Sequence, residues 1–190
     1  MINKSDVTRD NIVDYLLEVF AIRGPESYLG EPVSMADHME QSAACAVEDG
    51  APDSLVIAAL LHDIGHFIGD FPLDALENGT DNLHEDAGGA ILEMFYPPEV
   101  SEPVRLHVAA KRYLCTVDET YYDRLSPASI NSLNLQGGKM SAEEVAEFEA
   151  NPHHKDAVRL RYYDDDGKVA GRTIHKVSYY RPMLEALRLQ

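Results

Sequence analysis

His38 and, 24 positions later, the adjacent pair His62-Asp63 are the residues of this chain best suited to chemistry. The pair lies within Leu60-Leu61-His62-Asp63-Ile64-Gly65-His66, and His84, His107 and the run Asp164-Asp165-Asp166-Gly167 supply further donors. Imidazole nitrogens and carboxylate oxygens in such a set suit iron, manganese or zinc. Four histidines and two aspartates are enough for two ions, with the Asp63 carboxylate bridging them while His62 serves only one. On a continuous helix His62 and His66 share a face and Asp63 points about 100° away. Asp37, beside His38, is a candidate orienting partner. A lone helical histidine is more often a packed or surface residue, and His153, His154 and His175 are read that way. By chemistry alone the three aspartates are equivalent, and such a run before a glycine also makes a solvated turn.

The elements that must position these donors read as helical nearly throughout. Ile12, Tyr15, Leu16 and Val19 recur at the helical period, with Gly24 as a stop. Residues 25–33 form a loop carrying Tyr28-Leu29-Gly30-Glu31. Ser34 caps a second helix to about Glu48, with Gly50 after it. Asp53 opens a strongly apolar third helix running through Asp63. A long loop from Gly69 to Asp81 leads to a helix at roughly 82–95, which Pro97-Pro98 break. Ser101 starts the next helix, carrying His107 and Lys111. Ser141-Ala142-Glu143-Glu144 is a capping box for a short acidic helix. A helix around 153–163 ends in the Asp-rich turn, and a terminal helix begins near Ser178. No repeat or linker interrupts the pattern. Residues 1–190 are therefore read as a single all-α domain, of a size that buries a substantial core.

Charge narrows the partners. With 33 acidic against 16 basic residues the formal net charge is −17, which argues against nucleic acid and anionic membranes. An anionic substrate would need local cations. Lys111 lies four residues after His107, on the same helical face, and Arg161 lies three before Asp164. Both could therefore reach an anion held at the site, Lys as a point charge and Arg as a planar donor fork. Cys45 and Cys115 sit in apolar or helical surroundings and read as reduced thiols. The N-terminus carries no apolar signal region and no run approaches a membrane span, so a cytoplasmic location is expected. The oligomeric state is left open.

His38, the His62-Asp63 pair and a distal aspartate on a helical bundle resemble the HD-domain superfamily. Within it the chain looks most like small mixed-valent di-iron oxygenases that cleave the carbon–phosphorus bond of 1-hydroxyalkylphosphonates. The narrow signals are Tyr28-Leu29-Gly30-Glu31, His107-Val108-Ala109-Ala110-Lys111-Arg112-Tyr113-Leu114, Gln136-Gly137-Gly138 and Arg161-Tyr162-Tyr163-Asp164. The resemblance implies an HD-domain helical bundle. It makes His38, His62, Asp63 and Asp164 ligands of one iron, with Asp63 bridging to a second held by His84 and His107. It also selects Asp164 among the three aspartates. Tyr28 would occupy the substrate position in the resting state, and Glu31 would help order closure of the same loop. His66, Ser129, Ser132 and Gln136 would join Lys111 and Arg161 around the phosphonate.

The implied cofactors are two iron ions, Fe(II)/Fe(III), with O2 as co-substrate. The implied reaction is oxidative cleavage of a 1-hydroxy-2-ammonioethylphosphonate. Tyr28, Phe67, Glu31, Asp37 and Asp70 suit either a primary amine or a trimethylammonium group at the far end. Phe67 and Met35 favour the (R)-1-hydroxy-2-(trimethylammonio)ethylphosphonate, giving glycine betaine and phosphate; 2-amino-1-hydroxyethylphosphonate would give glycine. Two rivals remain. An HD-type phosphohydrolase shares every metal ligand and lacks a use for the Tyr28–Glu31 loop and Lys111. A non-catalytic HD sensor module would more often have lost a ligand.

Overall fold

The computed structural model describes residues 2–28, 30–69 and 83–190. Leu29 and Asp70, both named above, and most of the Gly69–Asp81 loop lie outside the described residues. The described residues form ten α-helices and no strand, apart from an isolated antiparallel bridge between Ser27 and Ser34. The helices are α1 (Ile12–Arg23), α2 (Met35–Glu48), α3 (Asp53–Leu61), α4 (Ile64–Ile68), α5 (His84–Leu92), α6 (Pro98–Val117), α7 (Pro127–Leu135), α8 (Ala142–Ala150), α9 (His154–Asp166) and α10 (Arg181–Leu187).

The centre is α3. Every residue from Leu55 to Leu61 is buried, and a helix apolar all round has nowhere else to go. It packs against α2 and α6, and α9 lies against both of those helices. On the other side α5 packs on α6, and the short α4 on α5. These helices, and the break between α3 and α4, carry all the candidate ligands. A second apolar cluster of Leu114, Cys115, Tyr121, Leu125 and Leu133 seats α7 beside the end of α6.

Local chemistry sets the boundaries. The Ser34 hydroxyl caps α2 by accepting from the Asp37 amide at 3.1 Å. Ser141 and Glu144 form the expected reciprocal capping box. Four expectations need correction. The third helix does not run through Asp63: it stops at Leu61, His62 and Asp63 form a break, and α4 starts at Ile64. The helix carrying His107 starts at Pro98 rather than Ser101, because proline is preorganised for the first helical position. The aspartates form the last turn of α9 instead of a loop, since Asp164 and Asp165 bond back to Arg161 one turn earlier. The chain near Ser178 is a 3-10 turn, Val177–Tyr180, that leads into α10.

Candidate metal centre

The break after α3 lets two consecutive side chains face one point. His62 and Asp63 are buried there, 0% and 2% exposed, together with His38 from α2. His84 at the start of α5 and His107 on α6 meet them from the other side, buried at 5% and 2%. Gly65 permits that approach, because a Cβ on it would lie 1.9 Å from the His84 carbonyl oxygen. Gly167 does the same for α9: a Cβ would meet the Ser42 hydroxyl at 2.4 Å, so only glycine lets the helix end rest on α2.

The nitrogens are arranged in two pairs. His38 Nε2 lies 3.0 Å from His62 Nε2, and His84 Nε2 lies 3.1 Å from His107 Nε2. The Nδ1 atoms of His38, His62 and His107 sit 3.0, 2.9 and 2.7 Å from the carbonyls of Gly167, Ala59 and Val104. A carbonyl only accepts, so these Nδ1 atoms carry the protons and each Nε2 presents a lone pair. Two lone pairs at such separations repel unless a cation draws both. The spacing matches adjacent corners around an ion with metal–nitrogen bonds of about 2.1 Å. Carbonyls holding the opposite ring nitrogen are the support that metal-bound histidines use.

Asp63 lies between the pairs. Its Oδ2 is 3.6 and 3.4 Å from the Nε2 atoms of His38 and His62, and its Oδ1 is 3.2 and 3.5 Å from those of His84 and His107. One carboxylate oxygen therefore serves each histidine pair. Asp164 Oδ1 lies 3.4 Å from His38 Nε2, on the first pair's side. Among the described residues Asp63 Oδ2 and Asp164 Oδ1 are buried without an ordinary hydrogen bond, a condition that costs about 1–3 kcal/mol or more for a charged group. The donor set thus fits one ion at each histidine pair.

Electrostatics agree with that occupancy. Burial drives His38 and His84 down to about 3, so both stay neutral and ligand-competent. Burial pushes His62 the same way, but Asp63 and Asp164 overcome it and raise its pKa. The two carboxylates draw positive charge into the cluster, as a proton or as an ion. Tyr28 stacks on His38 with ring centroids 4.0 Å apart, and its phenol is raised well above its usual pKa by burial and by Asp63 and Asp164.

A cavity of about 150 Å³ opens beside the cluster. Every residue expected around the phosphonate lines it, His66, Lys111, Ser129, Ser132, Gln136 and Arg161, together with Tyr28 and Glu31 of the loop. Lys111 is 3% exposed and donates to the Ser132 hydroxyl at 2.7 Å. The Gln136 side-chain oxygen is buried in the wall with no hydrogen-bond partner among the described residues. Glu31 accepts from the Ser126 hydroxyl at 2.5 Å, which ties its loop to the start of α7. His66 departs from the helical expectation. The break at His62-Asp63 interrupts the shared helical face, and His66 stacks on His84 with centroids 4.0 Å apart.

Arg161 does less at the cavity than expected. It donates from Nε to the Tyr121 hydroxyl at 2.9 Å, from Nη1 to Asp164 at 2.6 Å and from Nη2 to Asp165. Three of its five N–H groups are thereby committed. Lys168, missed in the sequence, lines the cavity with Nζ 3.3 Å from Asp164 Oδ1. Its signal was the i+4 spacing from Asp164. Phe67 and Met35, which favoured the methylated substrate, do not line the cavity. Phe67 packs edge-on against Phe20 at 5.7 Å, and Met35 belongs to the core. Asp37 pairs with Lys176 at 2.8 Å and also lies outside the cavity wall. His153, His154 and His175 are likewise absent from both histidine pairs.

An all-α bundle whose α2, α3 and α6 converge on a His/His-Asp cluster matches the HD-domain family model over residues 33–136, and the chain belongs to that family. It is 48% identical over 183 residues to the [1-hydroxy-2-(trimethylamino)ethyl]phosphonate dioxygenase (glycine-betaine-forming) of Leisingera caerulea, covering 96% of this chain and 93% of that protein. It is 42% identical over 176 residues to the hydroxymethylphosphonate dioxygenase of Gimesia maris, covering 92% and 87%. No described helix is long and apolar enough to cross a membrane.

Proposed function

We propose that this chain is a di-iron, O2-dependent dioxygenase that cleaves the carbon–phosphorus bond of a 1-hydroxyalkylphosphonate, working as one domain in the cytoplasm. The substrate favoured is (R)-1-hydroxy-2-(trimethylammonio)ethylphosphonate, giving glycine betaine and phosphate. The similarity to the Leisingera enzyme carries that preference, since Phe67 and Met35 no longer do. The Gimesia relative acts on hydroxymethylphosphonate, so the group beyond C1 is where relatives differ. The carrying observation is Asp63, which offers one oxygen to each of two buried histidine pairs beside a cavity that holds lysines.

The reaction balances without another reductant. One hydroxyphosphonate and one O2 give one carboxylic acid and one phosphate; C1 loses its hydrogen and the C–P bond and gains an oxygen. His38, His62, Asp63 and Asp164 would hold one iron, and Asp63, His84 and His107 the other. The iron pair, when bound, supplies the O2-activating redox chemistry and a template for substrate oxygens. The remaining work belongs to the chain. Lys111 sets a buried ammonium against the phosphonate, in a site where water screens little. Ser129, Ser132 and Gln136 offer hydroxyl and amide hydrogen bonds, and His66 an imidazole. Tyr28 and Glu31 close the mouth and exclude water while Glu31 is held by Ser126.

The test is phosphate release from the trimethylammonio substrate by iron-loaded protein, with and without oxygen. Stoichiometric glycine betaine and phosphate that stop under strict anaerobiosis are expected. Turnover that survives anaerobiosis would overturn the reading in favour of the phosphohydrolase. Fewer than about one bound metal per chain, with no turnover, would favour the sensor module.

A further inference from the structure

Any dianion entering this cavity faces a chain of formal charge −17, so the lining cations decide whether it binds. Among the described residues three cations line the cavity: Lys111, Arg161 and Lys168. Arg161 is held between Asp164 and Asp165, which offset its charge locally. Lys111 donates to a neutral partner, Ser132. The position of Lys168 is equally specific. It follows Gly167, directly after the end of α9, and its side chain is 11% exposed. Its Nζ lies 3.3 Å from Asp164 Oδ1, 3.2 Å from the Ser129 hydroxyl and 5.9 Å from the centroid of the Tyr28 ring.

The two lysines therefore rest on two serines of one helix. Ser129 and Ser132 are one turn apart on α7, and the Ser132 hydroxyl donates to the Ser129 carbonyl at 3.1 Å. Side chains so spaced stand roughly 5–6 Å apart at Cβ. Each ammonium is held at one of these serines, an arrangement in which one tetrahedral oxyanion can take a bond of about 2.8 Å from each. The two ammoniums are close enough that Lys168, like Arg161, lowers the Lys111 pKa, although burial is the larger cause. Asp164 and Asp165 act the other way on Lys111, so the wall is partly compensated, and an anion across the two ammoniums would complete that compensation.

We propose that Lys168 is a substrate-binding residue, the second ammonium of an oxyanion cradle whose first is Lys111. The inference rests on reading the cavity as a phosphonate site. It deepens that reading by assigning a residue and by making product phosphate a ligand of the same cradle. Asp164 Oδ1, the oxygen that Lys168 faces, is also a candidate metal donor. A metal-bound Asp164 shares its charge with the ion, which frees Lys168 for the anion. The contact with the Tyr28 ring further joins Lys168 to the cavity wall on the Tyr28 side.

The test is titration calorimetry of metal-loaded protein with inorganic phosphate, alongside metal stoichiometry and steady-state kinetics. Lys168→Met should weaken phosphate binding at least tenfold, leave metal content unchanged and raise KM for the hydroxyphosphonate more than it lowers kcat. Lys168→Arg, which keeps the charge, should recover most of the phosphate affinity. Phosphate affinity within twofold of the parent overturns the proposal. So does a fall in metal content that accounts for the weaker binding, since Lys168 would then act by anchoring Asp164. If phosphate binding depends on Lys168 but no hydroxyphosphonate is turned over, the cradle stands and the dioxygenase reading falls. If turnover is normal and Lys168→Met binds phosphate normally, only the cradle falls.

Discussion

Arg161→Met tests how α9 delivers Asp164 to the metal centre. Arg161 is 3% exposed and bonds Tyr121, Asp164 and Asp165 at once. Its charge is held by those two carboxylates against the burial that opposes it. Methionine preserves much of the volume and leaves two largely buried carboxylates without the guanidinium they share. Removing one partner of a buried pair costs about 3–5 kcal/mol. Lys168, 3.3 Å from Asp164, offsets part of this, so the lower end is expected. For a chain of this length each kcal/mol moves the melting temperature by about 2–4 °C. Metal-free Arg161→Met should therefore melt about 6–12 °C below the parent. Metal-loaded protein should lose less, because an ion on Asp164 replaces the missing charge. Loss of a residue supporting a ligand typically weakens metal binding by about 10–100-fold, and here the ion at His38 and His62 should suffer before the one at His84 and His107. Differential scanning calorimetry with and without metal, and chelator competition, read both effects. A metal-free melting temperature within about 2 °C of the parent would refute the argument, as would equal loss of both ions.

Three further outcomes follow from the same geometry. Burial, then Arg161, lowers Lys111 to about 7 in the free protein; the ammonium is the anion-binding form, so kcat/KM should fall as pH rises through about 7. Lys111→Arg should flatten that limb, and because substrate ionisation is common to both proteins, an unchanged profile would sink the assignment. The Ser126 hydroxyl caps α7 through the Ser129 amide at 3.1 Å while donating to Glu31. Ser126→Ala should lose about 1 kcal/mol of cap and raise KM several-fold, whereas Ser126→Asp should regain most of the melting temperature and not the KM; recovery of both would mean that Glu31 has no part in closure. Gly65→Ala should push α4 off the start of α5, where the His84 carbonyl leaves no room for a Cβ. Metal analysis should then give about one ion per chain instead of two, and two would refute the second pair's dependence on that approach.

Side-chain type carried most of what the sequence revealed. Histidines and aspartates have a small chemical repertoire, so their joint spacing limits the reading even before a fold is known. Lys111 was legible for the same reason, since its position four residues after His107 survives on an unbroken helix. Less was legible wherever the tertiary structure chose among equals. Phe67 and Met35 looked like a pocket for a methylated cation because they adjoin His66 and lie near His38 in sequence. Neighbours along a helix point in different directions, and both side chains went to the core. The α7 wall carried little periodicity, and it is placed by Leu133 entering the Leu114–Tyr121 cluster.

The three aspartates make the limit concrete. Successive residues of a helix are rotated by about 100°, so Asp164, Asp165 and Asp166 must face three directions. Asp164 meets His38, Asp165 takes the Tyr121 hydroxyl and Arg161, and the Asp166 side chain is 62% exposed. Nothing in three identical side chains fixes that phase. It is fixed upstream, where Ala157 and Leu160, seven and four residues before Asp164 and on the same helical face, are buried in the core, and downstream, where Gly167 lets the helix end reach the His38 carbonyl region of α2. The break at His62-Asp63 works in the opposite sense. An unbroken helix would have turned Asp63 about 100° away from His62. Ending α3 two residues early gives Asp63 φ −99° and ψ 12°, and that local turn is what allows one carboxylate to face both histidine pairs.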